Sequence, residues 1–380
     1  MFLPQRSWNI GASCRTKIEL LQNEERVRSA RRAKHQLQRH ATNANEKMKA
    51  LVFKRYGGPD RVTFADVARP VPKPDEILVQ VHAAGLNPVD NKIREGKMKP
   101  LLRFQLPATL GSDLAGVVLE VGRDVTRFKP GDAVFASIFG LRTGALAEFA
   151  VVPEKVAALK PANLDFVQAA SIPMVGLTAW QALKERAYLK PGHKVFIPAG
   201  AGGIGTFAIQ LAKHLGAKVA TTTSAGNAEL VRSLGGDVVI DYKKQKFEEV
   251  LRDYDAVLGT VPGESLEKSF QILKPKSTVI SLVGPPDAAF GRTRDMNSLV
   301  LFVLWLLSRK VHRLAKKRDV EYSFLFVHPD GGQLAEIGEL LKMGSIRPVI
   351  DKVFPFDQAK EAIAYLERGR AKGKVVVQIR

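Results

Sequence analysis

The segment PAGAGGIGTFAIQLAKHLG stands between an apolar run at 194–198 (KVFIP) and an amphipathic run at 203–215. It contains Gly200-x-Gly202-x-x-Gly205 and the overlapping Gly202-Gly203-Ile204-Gly205. Glycines at this spacing let a chain leave a buried strand, turn tightly and enter a helix packed close on that strand. The helix N-terminus then offers free N–H groups and partial positive charge to a pyrophosphate. A GxGxxG alone occurs by chance, but between a strand and a helix it predicts a parallel βαβ unit that holds a dinucleotide.

The flanking sequence fits that unit. Strand-like runs at 218–222, 238–240, 254–258 and 278–282 alternate with helical patterns, including 228–234, which is the mark of a doubly wound parallel sheet. From Met48 to about Val152 the chain is strand-rich instead, punctuated by YGGPD, RPVPKPD and FKPGD, and reads as a compact β-barrel-like domain with few helices. The tail has a helix at 333–343, a strand-like IRPVIDKVFPF, a helix at 357–368 and a last strand at 374–379 that need not belong to the parallel sheet.

Charge and cysteine narrow the class. The 380 residues carry 58 Lys+Arg against 38 Asp+Glu, a net +20, at a composition that excludes a disordered chain. Six of those charges come from 1–47, and 309–318 adds six basic residues with no acid. No aromatic–basic interleaving points to nucleic acid. Cys14 is the sole cysteine, so internal disulfides and Cys-rich zinc sites are excluded and a reducing, cytoplasmic setting is the default. Residues 1–47 lack the apolar run of a secretory signal. They are Arg-rich like organelle transit peptides, yet Glu19, Glu24 and Glu25 and the scarcity of Ser favour a disordered or partly helical extension, or a leader before Met48.

The most apolar stretch is the nine residues 299–307, too short for the ~20 of a membrane-spanning helix. With the RKVHRLAKKR that follows, 298–318 could lie on an anionic membrane surface. The favoured alternative is a core or dimer-facing helix with a solvated basic end.

The cofactor is inferred from what is missing. NAD sites usually place an acid ~20 residues after the glycines, at the next strand end, to bind the ribose 2′-OH. Here that position reads Thr221-Thr222-Thr223-Ser224, and the first acid after Gly205 is Glu229. A hydroxyl-rich, uncharged strand end leaves room for a 2′-phosphate and favours NADPH, although no Arg or Lys stands beside Ser224.

Taken together, MKALVFKRYGGPD, GLNPVDNKIREG (85–96), PATLGSDLAGVVLEVGRDV (107–125), FKPGDAVFA (128–136), SIPMVGLTAWQAL (171–183), AGAGGIG (199–205), VVIDYKKQKF (238–247) and GRAKGKVVVQI resemble the medium-chain dehydrogenase/reductase superfamily, in its zinc-free quinone oxidoreductase branch. The resemblance spans about 48–380. It implies an α/β fold: a GroES-like β-barrel catalytic domain from 48–171 and 326–380, a Rossmann domain from 172–325, the cofactor between them, and a homodimer. Zinc enzymes of the superfamily have Cys at Asn87 and Gly-His-Glu at Gly111-Ser112-Asp113, and no thiol follows Cys14, so no metal site is expected.

Without a metal, hydride from NADPH can still reach an acceptor that is already electrophilic, a quinone or an α,β-unsaturated carbonyl. The resemblance puts Asn87 and Lys92 forward as donors to acceptor or ribose, with Asp90 orienting their loop; the alternative is a plain Asn-Pro-x-Asp turn and a solvated Lys92. It places Thr223, Ser224, Asn227 and Tyr242 at the 2′-phosphate, although related reductases often carry Lys at the position of Asn227. Thr178, Leu282 and Val283 fall near the nicotinamide. His82, His193, His214, His312 and His328 show no metal or relay spacing. A binding or scaffold protein using its basic segments on membrane or nucleic acid, and an enoyl-thioester reductase, are the rival readings.

Overall fold

Two sheets and a three-stranded flap share the strands of the computed structural model, which describes residues 46–102, 104–141 and 143–380. Cys14 and all but Glu46 and Lys47 of the 1–47 segment lie outside the described residues. β1 (Lys47–Phe53) pairs antiparallel with β2 (Val62–Ala68) and with the short β4 (Ala108–Thr109). The seven-stranded sheet is built on β3 (Glu76–Leu86), which is bordered by β5 (Asp113–Val121) on one edge. Beyond β5 come β6 (Ala133–Ser137) and β8 (Ala157–Leu159).

The other edge of β3 is shared. β7 (Phe149–Pro153) takes Glu76–Gln80, and β16 (Lys374–Gln378), followed by β15 (Ile350–Pro355), takes Ala83–Leu86. Both ends of the chain therefore meet in one sheet, over a core that includes Leu51, Val79, Leu114, Val134 and Val375. From β3 the chain runs straight into α1 (Pro88–Arg94), where Pro88 presets the first helical φ.

The second sheet is wholly parallel, in the order β11-β10-β9-β12-β13-β14. Its strands are β9 (Lys194–Ile197), β10 (Lys218–Thr223), β11 (Val238–Asp241), β12 (Tyr254–Gly259), β13 (Leu273–Ser281) and β14 (Glu321–Phe324). Central strands covered on both faces need apolar side chains throughout, and Val195, Phe196 and Ile197 are all fully buried. The helices, in chain order, are α2 (Phe166–Ala170), α3 (Pro173–Trp180), α4 (Gly203–His214), α5 (Ala228–Ser233), α6 (Phe247–Val250), α7 (Glu264–Ser269), α8 (Ala288–Arg292), α9 (Ser298–Lys317), α10 (Gly331–Lys342) and α11 (Ala359–Glu367). Packed between the sheet and α3, α4 buries every residue from Gly205 to Ala212.

α9 corrects one half of the sequence expectation: of the nine residues 299–307, seven are exposed and only Leu304 is buried, so this is not a core helix, while a dimer-facing helix would be exposed in the same way in a single chain. One stripe, Leu304, Ser308, Val311 and Ala315, holds the helix to the domain, so the remaining apolar positions have no protein to face among the described residues.

Candidate active site

In this strand order the direction of winding reverses between β9 and β12, where ligands bind at the carboxyl ends of a doubly wound sheet. The glycine loop leaves β9 at that point. A Cβ on Gly200 would stand 2.1 Å from Thr221 Oγ1, and one on Gly205 would stand 2.5 Å from Ala199 O. Both glycines are required by close packing of loop, helix and β10. Thr222 Oγ1 accepts from Ala199 N at 3.1 Å and steadies the loop, whereas Thr221 Oγ1 is buried without a hydrogen-bond partner. No side chain caps α4 at Gly202; the N–H of Gly203 is taken by Gly373 in a parallel bridge, and those of Ile204 and Gly205 are open to an anion. The loop therefore fits a dinucleotide pyrophosphate.

At the next strand end the proposed 2′-phosphate residues come together. Thr223 closes β10, Asn227 Nδ2 donates to Ser224 Oγ at 3.3 Å, and Tyr242 N donates to Thr223 O at 3.3 Å from the end of β11. The Tyr242 ring is 60% exposed. That pairing also brings Lys243 and Lys244, both exposed, alongside this strand end. Leu282 and Val283 follow β13, and Leu282 N donates to Gly259 O at 3.0 Å, which sets them at the carboxyl end of β12. Thr178 is buried within α3 and donates its hydroxyl to Met174 O at 2.6 Å.

Beyond the cofactor loop lies a buried polar network. Asn87 sits at the end of β3 with its side chain turned inward: Nδ2 donates to Asp113 Oδ2 at 2.8 Å and to Ser112 Oγ at 3.2 Å. Lys374 Nζ, from the start of β16, donates to Asn87 Oδ1 at 2.6 Å and to Leu86 O at 2.8 Å, and pairs with Asp113 Oδ2 at 3.5 Å. Three acceptors match the three protons of an ammonium. Asp113 Oδ1 accepts from Met174 N at 3.1 Å. Asp90 Oδ2 accepts from Asn87 N at 2.8 Å, and Asp90 Oδ1 lies 2.8 Å from Ser112 Oγ.

Two carboxyls and one ammonium share this site, and burial governs all three. It pushes Asp90 up to about 7, against hydrogen bonds from Asn87 and Ser112 that favour the anion. Burial also raises Asp113, opposed chiefly by Lys374, and lowers Lys374. The ion pair with Lys374 and the hydrogen bonds from Asn87 and Met174 oppose that rise on Asp113 without cancelling it, so both carboxyls hold a proton more tightly than in water.

The network joins two recesses. Asp90 and Ser112 line one, with Ile93, Phe104, Phe139 and Leu141. Lys374 lines the other, beside Gly203 and Thr206 of α4. A Cβ on Gly203 would meet the Lys374 stem at 3.1 Å, so the lysine crosses the start of α4 before its ammonium reaches Asn87. Asn87 and Asp90 thus belong to one cluster. Lys92 is exposed and makes no side-chain hydrogen bond or ion pair to a described residue. Both ends of the Asn87 amide are engaged, and Asp90 and Ser112 are the members of the network that line the recess. Sequence reasoning missed Ser112, Asp113 and Lys374 as site residues; the one signal for the last was a lysine opening the all-apolar run VVV. Among the described residues no three His, Cys, Asp or Glu side chains are grouped to hold a metal.

A family model described as alcohol dehydrogenase GroES-like domain matches residues 73–162, and one described as zinc-binding dehydrogenase matches 234–377. A Danio rerio protein named NAD(P)H oxidoreductase RTN4IP1, mitochondrial, is 38% identical over 355 residues, covering 87% of this chain and 91% of that one. An Arabidopsis thaliana protein named NADPH-dependent alkenal/one oxidoreductase, chloroplastic, is 36% identical over 346 residues, 87% of this chain and 80% of its own. The solved quinone oxidoreductase of Coxiella burnetii superposes with a TM-score of 0.76 at 32% identity, over 88% of this chain and all of that one.

Proposed function

The chain belongs to the zinc-free quinone oxidoreductase branch of the medium-chain dehydrogenase/reductase superfamily, and from that premise we propose that it transfers hydride from NADPH to a quinone or an α,β-unsaturated carbonyl compound. The observation that carries the reading is the buried Asp90–Ser112 pair in the wall of a recess, tied through Asn87 and Lys374 to the start of α4.

Bound NADPH supplies the hydride. The open N–H groups of Ile204 and Gly205 would hold its pyrophosphate, and Ser224, Asn227 and Tyr242, with Lys243 and Lys244 just beyond them in the chain, would meet its 2′-phosphate. Hydride adds to the acceptor carbon and the π pair moves onto oxygen. Ser112 Oγ gives its proton to that oxygen and takes the proton of Asp90, which is then reloaded from solvent. Asn87 fixes the Ser112 hydroxyl, and Asp90, on the other side of that hydroxyl, is the carboxyl placed to pass it a proton. Steady-state oxidation of NADPH with a panel of quinones and enones tests this. Absence of turnover with every acceptor, in protein that binds NADPH, would sink it.

The same reading includes division of the chain into 48–171 plus 326–380 and 172–325, a homodimer, and peripheral membrane contact through 298–318. The outer edge of β14 has no strand partner among the described residues, which supports pairing of two copies there; light scattering on the purified protein tests the dimer. No helix among the described residues is long and apolar enough to cross a membrane. The mitochondrial and chloroplastic names of the two relatives support an organellar address, carried by 1–47, over the cytoplasmic default. Fusing that segment to a fluorescent protein tests it.

A further inference from the structure

The outward face of α9 changes character halfway along. Its first turns present Leu299 (71% exposed), Phe302 (58%), Leu306 (51%) and Leu307 (60%), with Val303 and Trp305 beside them. The Phe302 and Trp305 rings stack at 5.8 Å, and the Arg309 guanidinium lies 5.6 Å from the Trp305 ring. After Ser308 the exposed positions become Arg309, Lys310, His312, Arg313, Lys316, Lys317 and Arg318, and 298–318 contains no carboxylate. From outside the helix Glu267 answers Lys310 at 2.5 Å and Asp287 lies 3.5 Å from His312.

A contiguous apolar patch of this kind marks an interaction site. A second copy of α9 is a poor occupant, because it would bring another basic end and no carboxylate to pair with it. An anionic bilayer suits both halves. The apolar turns sink into the acyl boundary, Trp305 and Arg309 sit at headgroup depth, and the basic turns meet anionic headgroups.

The helix also lies on the acceptor side of the molecule. Phe139, in the wall of the Asp90–Ser112 recess, contacts Phe326 at 5.2 Å between ring centres, and Phe326 contacts Phe290 of α8 at 5.8 Å. α9 packs on α8, its Leu301 and Leu304 closing over Gly291. A run of apolar rings therefore links the recess to the exposed helix.

We propose that α9 docks the enzyme on an anionic lipid bilayer and that its acceptor is dissolved in that bilayer. The second half rests on the quinone- or enone-reductase reading; the first does not.

Sedimentation of the full-length protein with NADPH and vesicles tests the docking. Wild type is expected to sediment with vesicles of phosphatidylcholine and phosphatidylserine and far less with phosphatidylcholine alone. The exposed-face variant Leu299→Ser/Phe302→Ser/Leu306→Ser is expected to bind about tenfold or more weakly, and Arg313→Glu/Lys317→Glu to lose the preference for the anionic lipid. All substituted side chains are exposed, so melting temperatures should match wild type, and 1–47 is constant throughout. Wild type left in the supernatant, or variants that bind like wild type, would overturn the docking; so would gel filtration showing that the apolar variant loses an oligomer while vesicle binding is unchanged. For the acceptor, a short water-soluble quinone is compared with the same ring on a long alkyl tail in vesicles. The apolar variant should lose rate only with the tailed quinone, and equal rates for the two proteins would overturn that half. Failure of wild type on the soluble quinone counts against the reductase reading and leaves the vesicle result standing.

Discussion

The two ends of the cleft are built on opposite plans. The cofactor end is backbone: twelve contiguous residues, 194–205, make a strand, a turn and the open start of a helix, and side chains enter mainly by being absent. The acceptor end is side chains: Asn87 and Asp90, Ser112 and Asp113, and Lys374 come from three distant stretches of chain, and one bond, Lys374 to Asn87, spans 287 positions. The first plan tolerates exchange of chemistry but not of volume, and the second tolerates neither a lost proton nor a lost charge.

The sharpest way to break that contrast is Asp90→Asn, which keeps shape and removes the proton. Turnover with quinone or enone is expected to fall about 10³-fold while NADPH affinity, measured by fluorescence quenching, stays near wild type. Turnover of the wild-type enzyme should fall as pH rises through about 7, because the proton donor is lost, and the variant should lack that limb. The linkage has the same sign: folded Asp90 holds its proton more tightly than the unfolded chain, so its contribution to stability falls as pH rises from 3.8 to about 7. A pH-independent wild-type rate would remove Asp90 from the relay.

Next in size, Lys374→Met leaves Asp113 buried without its cation. About 3 kcal/mol of stability should be lost in urea unfolding, and an unchanged midpoint would show the pair to be inessential. At the cofactor end, Gly200→Val sets a branched side chain against Thr221 Oγ1 and should weaken NADPH about tenfold through displacement of the loop, with little effect on the pH limb. Binding like wild type would mean the loop has slack. The smallest effect belongs to the exposed Lys243→Ser/Lys244→Ser variant: KM for NADPH should rise about fivefold while KM for NADH is unchanged. Equal shifts for both would remove these lysines from the 2′-phosphate.

The contrast also explains what could be read in advance. The strands and helices from 194 to 241 are legible because each is decided within a few residues, by glycine spacing and by apolar runs buried on both faces. Asn87 and Asp90 are legible as a pair because they share one loop. Lys374 is not, since its partners are distant in sequence and a lone lysine near a strand start ordinarily points to solvent. Tyr242, with Lys243 and Lys244 after it, comes to the end of β10 only through the β10–β11 register. The reading of 299–307 as buried fails for a different reason: hydropathy measures what water disfavours and cannot tell whether protein or another apolar phase removes the residues from it.

The shared edge of β3 has a consequence for biosynthesis. A chain emerging from the ribosome N-terminus first can seat β5 and β7 on β3 early, and the parallel sheet can close within its own contiguous stretch. The half-edge Ala83–Leu86 then has to wait for β16, some 290 residues later, and with it waits the carbonyl of Leu86 that Lys374 will cap. The nascent protein thus passes through an interval in which the parallel sheet is complete and the catalytic polar cluster is not, with Asp113 lacking its cation beside an open strand edge. Ribosome-stalled chains ending just before β16 should bind a dinucleotide and reduce nothing, which makes the last strand the switch from a nucleotide-binding protein to an enzyme.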